Sequence, residues 1–126
     1  MEHLFIINPA AGSRDRTKDY RQTIDRICAQ KGVDYRIEVS QEPGHCYRLT
    51  REAALTGKEY RVYACGGDGT LNEVAAGAAG YSNAAITVFE GEDLLETDME
   101  IQDLIPLNFG LVLIVPDQLR QTGIDP

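Results

Sequence analysis

The stretch from Cys65 to Glu73 is where residue types and spacing indicate a particular chemistry. It reads Cys-Gly-Gly-Asp-Gly-Thr-Leu-Asn-Glu and lies between an apolar run and a helical pattern. Glycines at such a turn permit positive φ and close approach of the backbone, and the spacing of Thr70 and Glu73 predicts a capping box at the start of a helix. Because a helix N-terminus presents unpaired N–H groups and a partial positive charge, it favours anions. The stretch therefore predicts a phosphate-binding turn.

Two common phosphate-binding signatures are absent from this turn. The sequence contains no Gly-x-x-x-x-Gly-Lys-[Ser/Thr], which excludes a Walker-type P-loop. The dinucleotide fingerprint requires a third glycine where Asn72 stands. A purely structural turn would explain the glycines but not Asp68, Thr70 and Asn72 beside them. Asp68 itself could approach a bound ligand or stabilise the turn through an Asx hydrogen bond.

The segments around the turn alternate between strand and helix patterns. Strands are predicted over residues 4–7, 33–39, 62–65 and 84–89, and helices follow the first three of them, ending near Gly32, Gly57 and Gly80. This order predicts a three-layer α/β sandwich with a mostly parallel, Rossmann-like sheet and helices on both faces. Ligands of such sheets bind beyond the carboxyl ends of the strands. Ser40 and the turns after Ile7 and Cys65 all lie at that edge, so we expect them to form one site.

Charge divides the chain into two parts. Residues 1–89 contain eleven basic and eleven acidic residues, whereas residues 90–126 contain nine acidic residues and one basic residue, Arg120, so the later part holds the whole net charge of −8. This asymmetry predicts an α/β domain over residues 1–89 and a divergent acidic tail over residues 90–126. The acidic balance also argues against nucleic acid as a partner.

The three cysteines predict reduced thiols in or near the core. Cys28, Cys46 and Cys65 are odd in number and contain no Cys-x-x-Cys pair, so neither a disulfide framework nor a metal site is expected. No apolar run approaches the ~18 residues that a membrane span needs. We therefore expect a cytoplasmic location without stable membrane insertion.

Three segments together resemble the diacylglycerol kinase catalytic domain, which bacterial lipid kinases and sphingosine kinases share. Residues 66–74 (Gly-Gly-Asp-Gly-Thr-Leu-Asn-Glu-Val) resemble its nucleotide-binding motif. NAD kinases and phosphofructokinases have a related turn, but two further segments favour the lipid kinases. Residues 7–12 (Ile-Asn-Pro-Ala-Ala-Gly) resemble the family's opening loop, and residues 39–45 (Val-Ser-Gln-Glu-Pro-Gly-His) resemble the end of its second strand. The resemblance extends over residues 1–89.

The resemblance implies that ATP, with Mg²⁺, binds along these three segments. No catalytic residue and no direct metal ligand is assigned. Arg14 and Lys18 could add positive charge near phosphate or could simply be solvated. His45 is expected to begin a helix or to serve packing, and not to act as a catalytic base. The residues implied to bind the nucleotide are Asn8, Pro9, Ala11, Gly12, Ser40, Gly66, Gly67, Asp68, Gly69, Thr70, Leu71, Asn72 and Glu73.

The sequence departs from the family pattern after Phe89. In the family this strand runs into a Pro-x-Gly-Thr-Gly-Asn-Asp loop, whereas here it runs into Glu-Gly-Glu-Asp-Leu. Family members continue into a β-rich domain that supplies the lipid cleft and an acidic base, and no such sequence precedes Pro126. We therefore expect the ATP-binding half of a lipid kinase that transfers a phosphoryl group to a lipid hydroxyl only when completed by a second domain. Alone, it is expected to be inactive.

Two alternatives remain open for the chain as a whole. A truncated or frame-shifted gene could leave a non-catalytic remnant that serves binding or assembly, or the chain could be one half of a split kinase. In the first case the apolar run 111–115, from Leu111 to Val115, could pair across subunits as an exposed strand edge does. The same run is a candidate fifth strand, and residues 97–105 are a candidate short helix.

Overall fold

The computed structural model describes residues 1–89 and the two residues of a short strand, Leu113–Ile114. Strands and helices alternate along these residues, which confirms the predicted α/β class. In chain order the elements are β1 (Glu2–Ile7), α1 (Thr17–Lys31), β2 (Arg36–Val39), α2 (His45–Leu55), β3 (Tyr60–Cys65), α3 (Asp68–Ala78), β4 (Ala84–Val88) and β5 (Leu113–Ile114).

The described strands form one parallel sheet in the order β2-β1-β3-β4-β5. The chain moves from β1 outward to β2, then passes back over β1 to β3 and continues to β4. Because crossovers between parallel strands are right-handed, this reversal places α1 on one face and both α2 and α3 on the other. The strand order therefore reverses between β1 and β3, and ligands of open α/β sheets bind at such a switch point.

The core consists of two apolar layers, one on each face of the sheet. Leu4 and Ile6 of β1 pack into the layer beneath α2 and α3, whereas Phe5 and Ile7 pack into the layer beneath α1. This alternation follows from the two-residue period of a strand. The ring of Phe5 stacks on that of Tyr63 with centroids 4.1 Å apart. Cys28, Cys46 and Cys65 are buried and free, as predicted.

Helices α2 and α3 approach each other closely at Gly77. A Cβ atom at this position would lie 2.6 Å from the carbonyl oxygen of Tyr47 and 2.8 Å from Cβ of Thr50. Arg51 stabilises the same contact between α2 and α3. Its Nε donates a 2.7 Å hydrogen bond to the carbonyl of Gly77, and its guanidinium lies over the ring of Tyr81. A positive charge at the C-terminus of α3 is favourable for the helix dipole. The small residues of α3 thus serve close packing.

Several element boundaries differ from the sequence-based prediction: β1 and β3 each begin two residues earlier, β4 ends at Val88, and the starts of α3 and β2 differ for a physical reason. The prediction of a capping box at Thr70 and Glu73 is wrong. Helix α3 begins at Asp68 with Gly67 as its N-cap, and no side chain caps it. The Thr70 hydroxyl instead accepts a hydrogen bond from Asn8 and is 1% exposed, so it is unavailable for capping. The second strand begins at Arg36, since the main-chain N–H of Val33 bonds to Cys28 in the turn that closes α1.

The end of the sheet beyond β4 is described only in part. Leu113 and Ile114 pair in parallel with Ile86 and Thr87, which confirms a fifth strand within the run 111–115. Pairing of this run with a second copy of the chain stays a prediction. The candidate helix over residues 97–105 lies outside the described residues. Within the described part of the chain, no helix is both long and apolar enough to cross a membrane.

Candidate functional site

Asn8 joins the ends of three strands at the carboxyl edge of the sheet. Its main-chain N–H donates to the carbonyl of Cys65 at 3.0 Å, and its Nδ2 donates to Oγ1 of Thr70 at 3.1 Å. Its Oδ1 accepts from the N–H of Ala10 at 3.0 Å and, at a longer 3.5 Å, from the hydroxyl of Ser40. The three segments that were expected to form one site therefore meet at this side chain.

The sheet register explains why these residues meet. Ile7 at the end of β1 pairs with Val39 of β2 on one side and with Cys65 of β3 on the other. The residues that follow these three positions therefore emerge at the same level of the sheet. Ser40 continues the ladder by donating its N–H to the carbonyl of Ile7 at 2.8 Å. Its side chain is thereby fixed beside that of Asn8.

The glycines of the turn after β3 have different roles. A Cβ atom on Gly66 would lie 2.2 Å from Oγ1 of Thr70 and 3.2 Å from Cβ of Ala11, so close packing excludes a side chain. At Gly67 and Gly69 an added Cβ would meet nothing within 4 Å. None of these three glycines has a positive φ, so the expectation of positive φ is wrong for this turn. Gly67 and Gly69 leave open space above the first turn of α3.

The N-terminus of α3 offers backbone donors to that open space. The first N–H of the helix with a backbone acceptor is that of Leu71, which bonds to the carbonyl of Gly67 at 3.1 Å. No side chain caps the preceding N–H groups, and the first turn of a helix leaves such groups unsatisfied. Asp68, the acidic residue of this turn, is exposed at its edge. Free N–H donors beside an exposed carboxylate suit an anion that is accompanied by a cation.

A cleft of about 250 Å³ lies beside the turn. Its walls are the loop after β1, the loop after β2 and the side chain of Glu73 on α3; the lining residues are Asn8, Pro9, Ala10, Ser40, Gln41, Glu42, Pro43 and Glu73. Residues 41–43 lie within the predicted segment 39–45 but were not among the individual residues predicted to bind the nucleotide, although their place directly after Ser40 at the carboxyl edge was a usable signal. The N–H of Gln41 donates to Nδ1 of His45 at 2.9 Å, which holds this loop against the start of α2. His45 begins α2, as predicted.

Some of the residues in the predicted set do not face the cleft. Leu71 is fully buried in the core, and Asn72 is exposed on α3. Arg14, a candidate for contact with phosphate, forms an exposed ion pair with Asp19 at 3.2 Å. Lys18 is on α1 and lines a different surface pocket, together with residues between Asp15 and Asp25. Within the described residues, no group of three or more His, Cys, Asp or Glu side chains could hold a metal ion.

The sequence matches a known family over most of its length. A family profile described as "Diacylglycerol kinase catalytic domain" matches residues 2–91. Over 81 residues the chain is 37% identical to a Bacillus subtilis protein named "Putative lipid kinase YtlR", and over 77 residues it is 34% identical to a Xanthomonas campestris protein named "Probable lipid kinase YegS-like". Each match covers 61% of this chain but only about a quarter (26% and 24%) of the relative's length.

The fold also resembles that of solved structures. One is described as a putative diacylglycerol kinase from Bacillus anthracis and has a TM-score of 0.53 at 24% identity, covering 71% of this chain and 29% of the other. A second structure, a diacylglycerol kinase from the same organism, has a TM-score of 0.52 at 24% identity and covers 71% of this chain and 32% of the other. At this identity the likeness concerns the fold alone.

Proposed function

This chain belongs to the diacylglycerol kinase catalytic domain family, and on that premise we propose that residues 1–89 bind ATP for transfer of its γ-phosphoryl group to a lipid hydroxyl in the whole protein. The observation that carries the proposal is the uncapped N-terminus of α3 beneath the open positions Gly67 and Gly69. Helix N-termini of this kind bind phosphate through backbone N–H groups and the helix dipole.

The residues present fit a phosphate chain. Gly67 and Gly69 leave room for phosphate oxygens to approach the backbone, and side chains there would fill that room. Asn8 fixes Thr70, and with it the first turn of α3, so that the donors are held in place before a ligand arrives. Such preorganisation lowers the entropic cost of binding.

The proposal also includes Mg²⁺, for which Asp68 is the proposed protein ligand. Mg²⁺ usually keeps several waters and is held by one or two carboxylates together with substrate phosphates. Asp68 is an exposed carboxylate at the N-terminus of α3, within the turn proposed for phosphate. We propose that the Asp68 carboxylate contacts the cation that neutralises the phosphates. Phosphoryl transfer depends on this neutralisation of charge.

Lipid turnover is assigned to the whole protein and not to the described residues. Phosphoryl transfer depends on positioning both reactants and on stabilising charge, and this chain spans about a quarter of the length of the relatives it matches. None of the described residues is proposed as the base that accepts the hydroxyl proton. The isolated 126-residue chain is therefore expected to bind ATP without phosphorylating a lipid. The use of ATP and the buried thiols fit a cytoplasmic location, which we include in the proposal.

Calorimetric titration with ATP, with and without Mg²⁺, tests this function. The Gly67→Val variant should fold, because Gly67 has extended φ and ψ of −99° and −162° and its Cβ would meet no atom. Its methyl groups would occupy the space proposed for phosphate, so ATP affinity should fall at least tenfold. Ala79→Val, at the opposite end of α3, is the matched control and should bind ATP normally. Absence of saturable binding at millimolar ATP would contradict the proposal.

A further inference from the structure

Strand β2 forms one edge of the sheet that the described strands build. It pairs with β1 on one side, and no other described strand pairs with its far side. Ser40 donates its N–H to the last carbonyl of β1, so the main-chain groups of the alternate residues Arg36 and Glu38 also point towards β1. The main-chain groups of Ile37 and Val39 therefore point outwards. An exposed row of this kind is a template for pairing with another strand.

The charged residues of β2 are complementary to those of a second, antiparallel copy of the same strand. Arg36 and Glu38 lie on one face of β2, with Nε of Arg36 3.5 Å from Oε2 of Glu38, and their side chains are 54% and 40% exposed. If two copies of β2 run antiparallel about Ile37, Arg36 of each copy faces Glu38 of the other. The outward groups of the two Ile37 residues then bond to each other, so positions 36 and 38 form the closer, non-hydrogen-bonded pairs. Opposite charges at such positions favour pairing.

The other face of β2 is apolar. Ile37 and Val39 pack against the core layer beneath α1 and are only partly buried, and Tyr35, just before the strand, is 38% exposed. Antiparallel pairing about Ile37 sets the two Ile37 side chains side by side and places Tyr35 of each copy beside Val39 of the other. These contacts remove apolar surface from water. The pairing therefore extends the apolar layer beneath α1 from one copy into the next.

Helix α1 offers a second complementary surface beside this edge. The hydroxyl of Tyr35 donates to the carboxylate of Asp25, which places that side of α1 next to the start of β2. Lys18 and Asp25, two helical turns apart, line the same shallow depression on α1. Because a two-fold axis reverses the direction of α1, it brings Lys18 of one copy towards Asp25 of the other. The helices add area that a four-residue strand lacks, since stable interfaces bury ~800 Å² on each partner.

We propose that the outer edge of β2 is an interaction surface for a second copy of this chain, paired antiparallel about Ile37 through Arg36 and Glu38. The contact is isologous, so each copy contributes both charges and the assembly closes as a dimer with one continuous sheet. The carboxyl edges of the two halves point in opposite directions, and each candidate nucleotide site stays open. The inference therefore does not rest on the proposed function, and it concerns the edge of the sheet opposite to the run 111–115.

Sedimentation equilibrium of the full chain and of charge-reversed variants tests this dimer. The wild type should reach twice the mass of the 126-residue chain. Arg36→Glu or Glu38→Arg alone should raise the dimer dissociation constant roughly tenfold or more, because each change sets like charges opposite each other twice. The double variant R36E/E38R should dimerise as the wild type does, and an equimolar mixture of the two single variants should form a heterodimer. Lys58→Glu is the matched control, since it reverses an exposed charge two strands away, before β3.

Three results would overturn the inference. A wild type that stays monomeric at millimolar concentration would exclude the dimer. A dimer that both single variants retain would use another surface, such as the run 111–115. A double variant that dimerises no better than the single variants would rule out the pairing of Arg36 with Glu38. Circular dichroism of the single variants should show the wild-type fold, because both side chains are exposed at the edge of the sheet.

Discussion

The side-chain amide of Asn8 donates a 3.1 Å hydrogen bond to the hydroxyl of Thr70 and so ties the end of β1 to the first turn of α3. This bond crosses the point at which the strand order reverses, between β1 and β3. It explains why Thr70 does not cap its own helix, and it leaves the N–H groups of that helix available. The proposed site therefore depends on a contact between residues 62 positions apart in sequence.

Replacement of Asn8 by alanine should weaken both folding and nucleotide binding. The change removes the bonds to Thr70 and Ala10, which should lower the free energy of unfolding by about 1–3 kcal/mol. Asn83→Ala is the matched control, because Asn83 makes two 2.8 Å bonds to Ala54 and Lys58 at the opposite edge of the sheet. Urea unfolding should show similar losses, whereas ATP affinity should fall only for Asn8→Ala. Equal affinity in the two variants would contradict the role of Asn8.

Alanine should lower the stability of the fold at Gly66 but leave it almost unchanged at Gly67. The new Cβ at Gly66 would overlap the buried Thr70 side chain, so we expect a loss of about 1–3 kcal/mol, as for other overpacked sites. At Gly67 the Cβ enters open space and stability should change by less than about 0.5 kcal/mol. Thermal unfolding of both variants measures the difference. A Gly66→Ala variant as stable as the wild type would show that the turn can widen.

The two glycines inside α3 provide a second contrast. Gly69→Ala should stabilise the free chain by about 0.5–1 kcal/mol, because alanine is the better helix former and the added Cβ meets nothing. Gly77→Ala should destabilise it by about 1–3 kcal/mol, since the Cβ would press on the backbone of α2. Chemical denaturation of the pair checks both signs. Stabilisation by both substitutions would show that α2 and α3 separate without cost.

His3 should make the fold sensitive to mild acid. Burial, together with the charge of Arg61, lowers its pKa from 6.5 to about 4, and its Nδ1 lies 3.0 Å from the hydroxyl of Tyr63. The unfolded chain therefore binds more protons between about pH 4 and 6.5, so stability falls as the pH decreases through that window. Urea unfolding at about pH 7.5 and pH 5 should show a steeper loss for the wild type than for His3→Gln. Equal slopes would mean that folding leaves the protonation of His3 unchanged.

The sequence predicted those features that depend on local pattern. Strand and helix order and the convergence of Asn8, Ser40 and the glycine turn follow from periodicity and parallel topology. The burial of three free thiols follows from the number and spacing of the cysteines. The capping box failed because the partner of Thr70 lies on another strand, where no local rule can identify it. For the same reason the sequence could not reveal that Oε1 of Glu73 is buried without a hydrogen-bond partner among the described residues, since its burial arises from two loops and a helix that meet only in the fold.

The central claim is that nucleotide phosphate binds the N-terminus of α3, and the amide resonances of the glycines test it most directly. In a titration of isotopically labelled chain with ATP and Mg²⁺, the resonances of Gly67 and Gly69 should shift and saturate. Those of Gly57 and Gly80, which precede β3 and β4 at the opposite edge of the sheet, should stay in place. Shifts confined to Gly57 and Gly80, or none at millimolar ATP, would contradict the account.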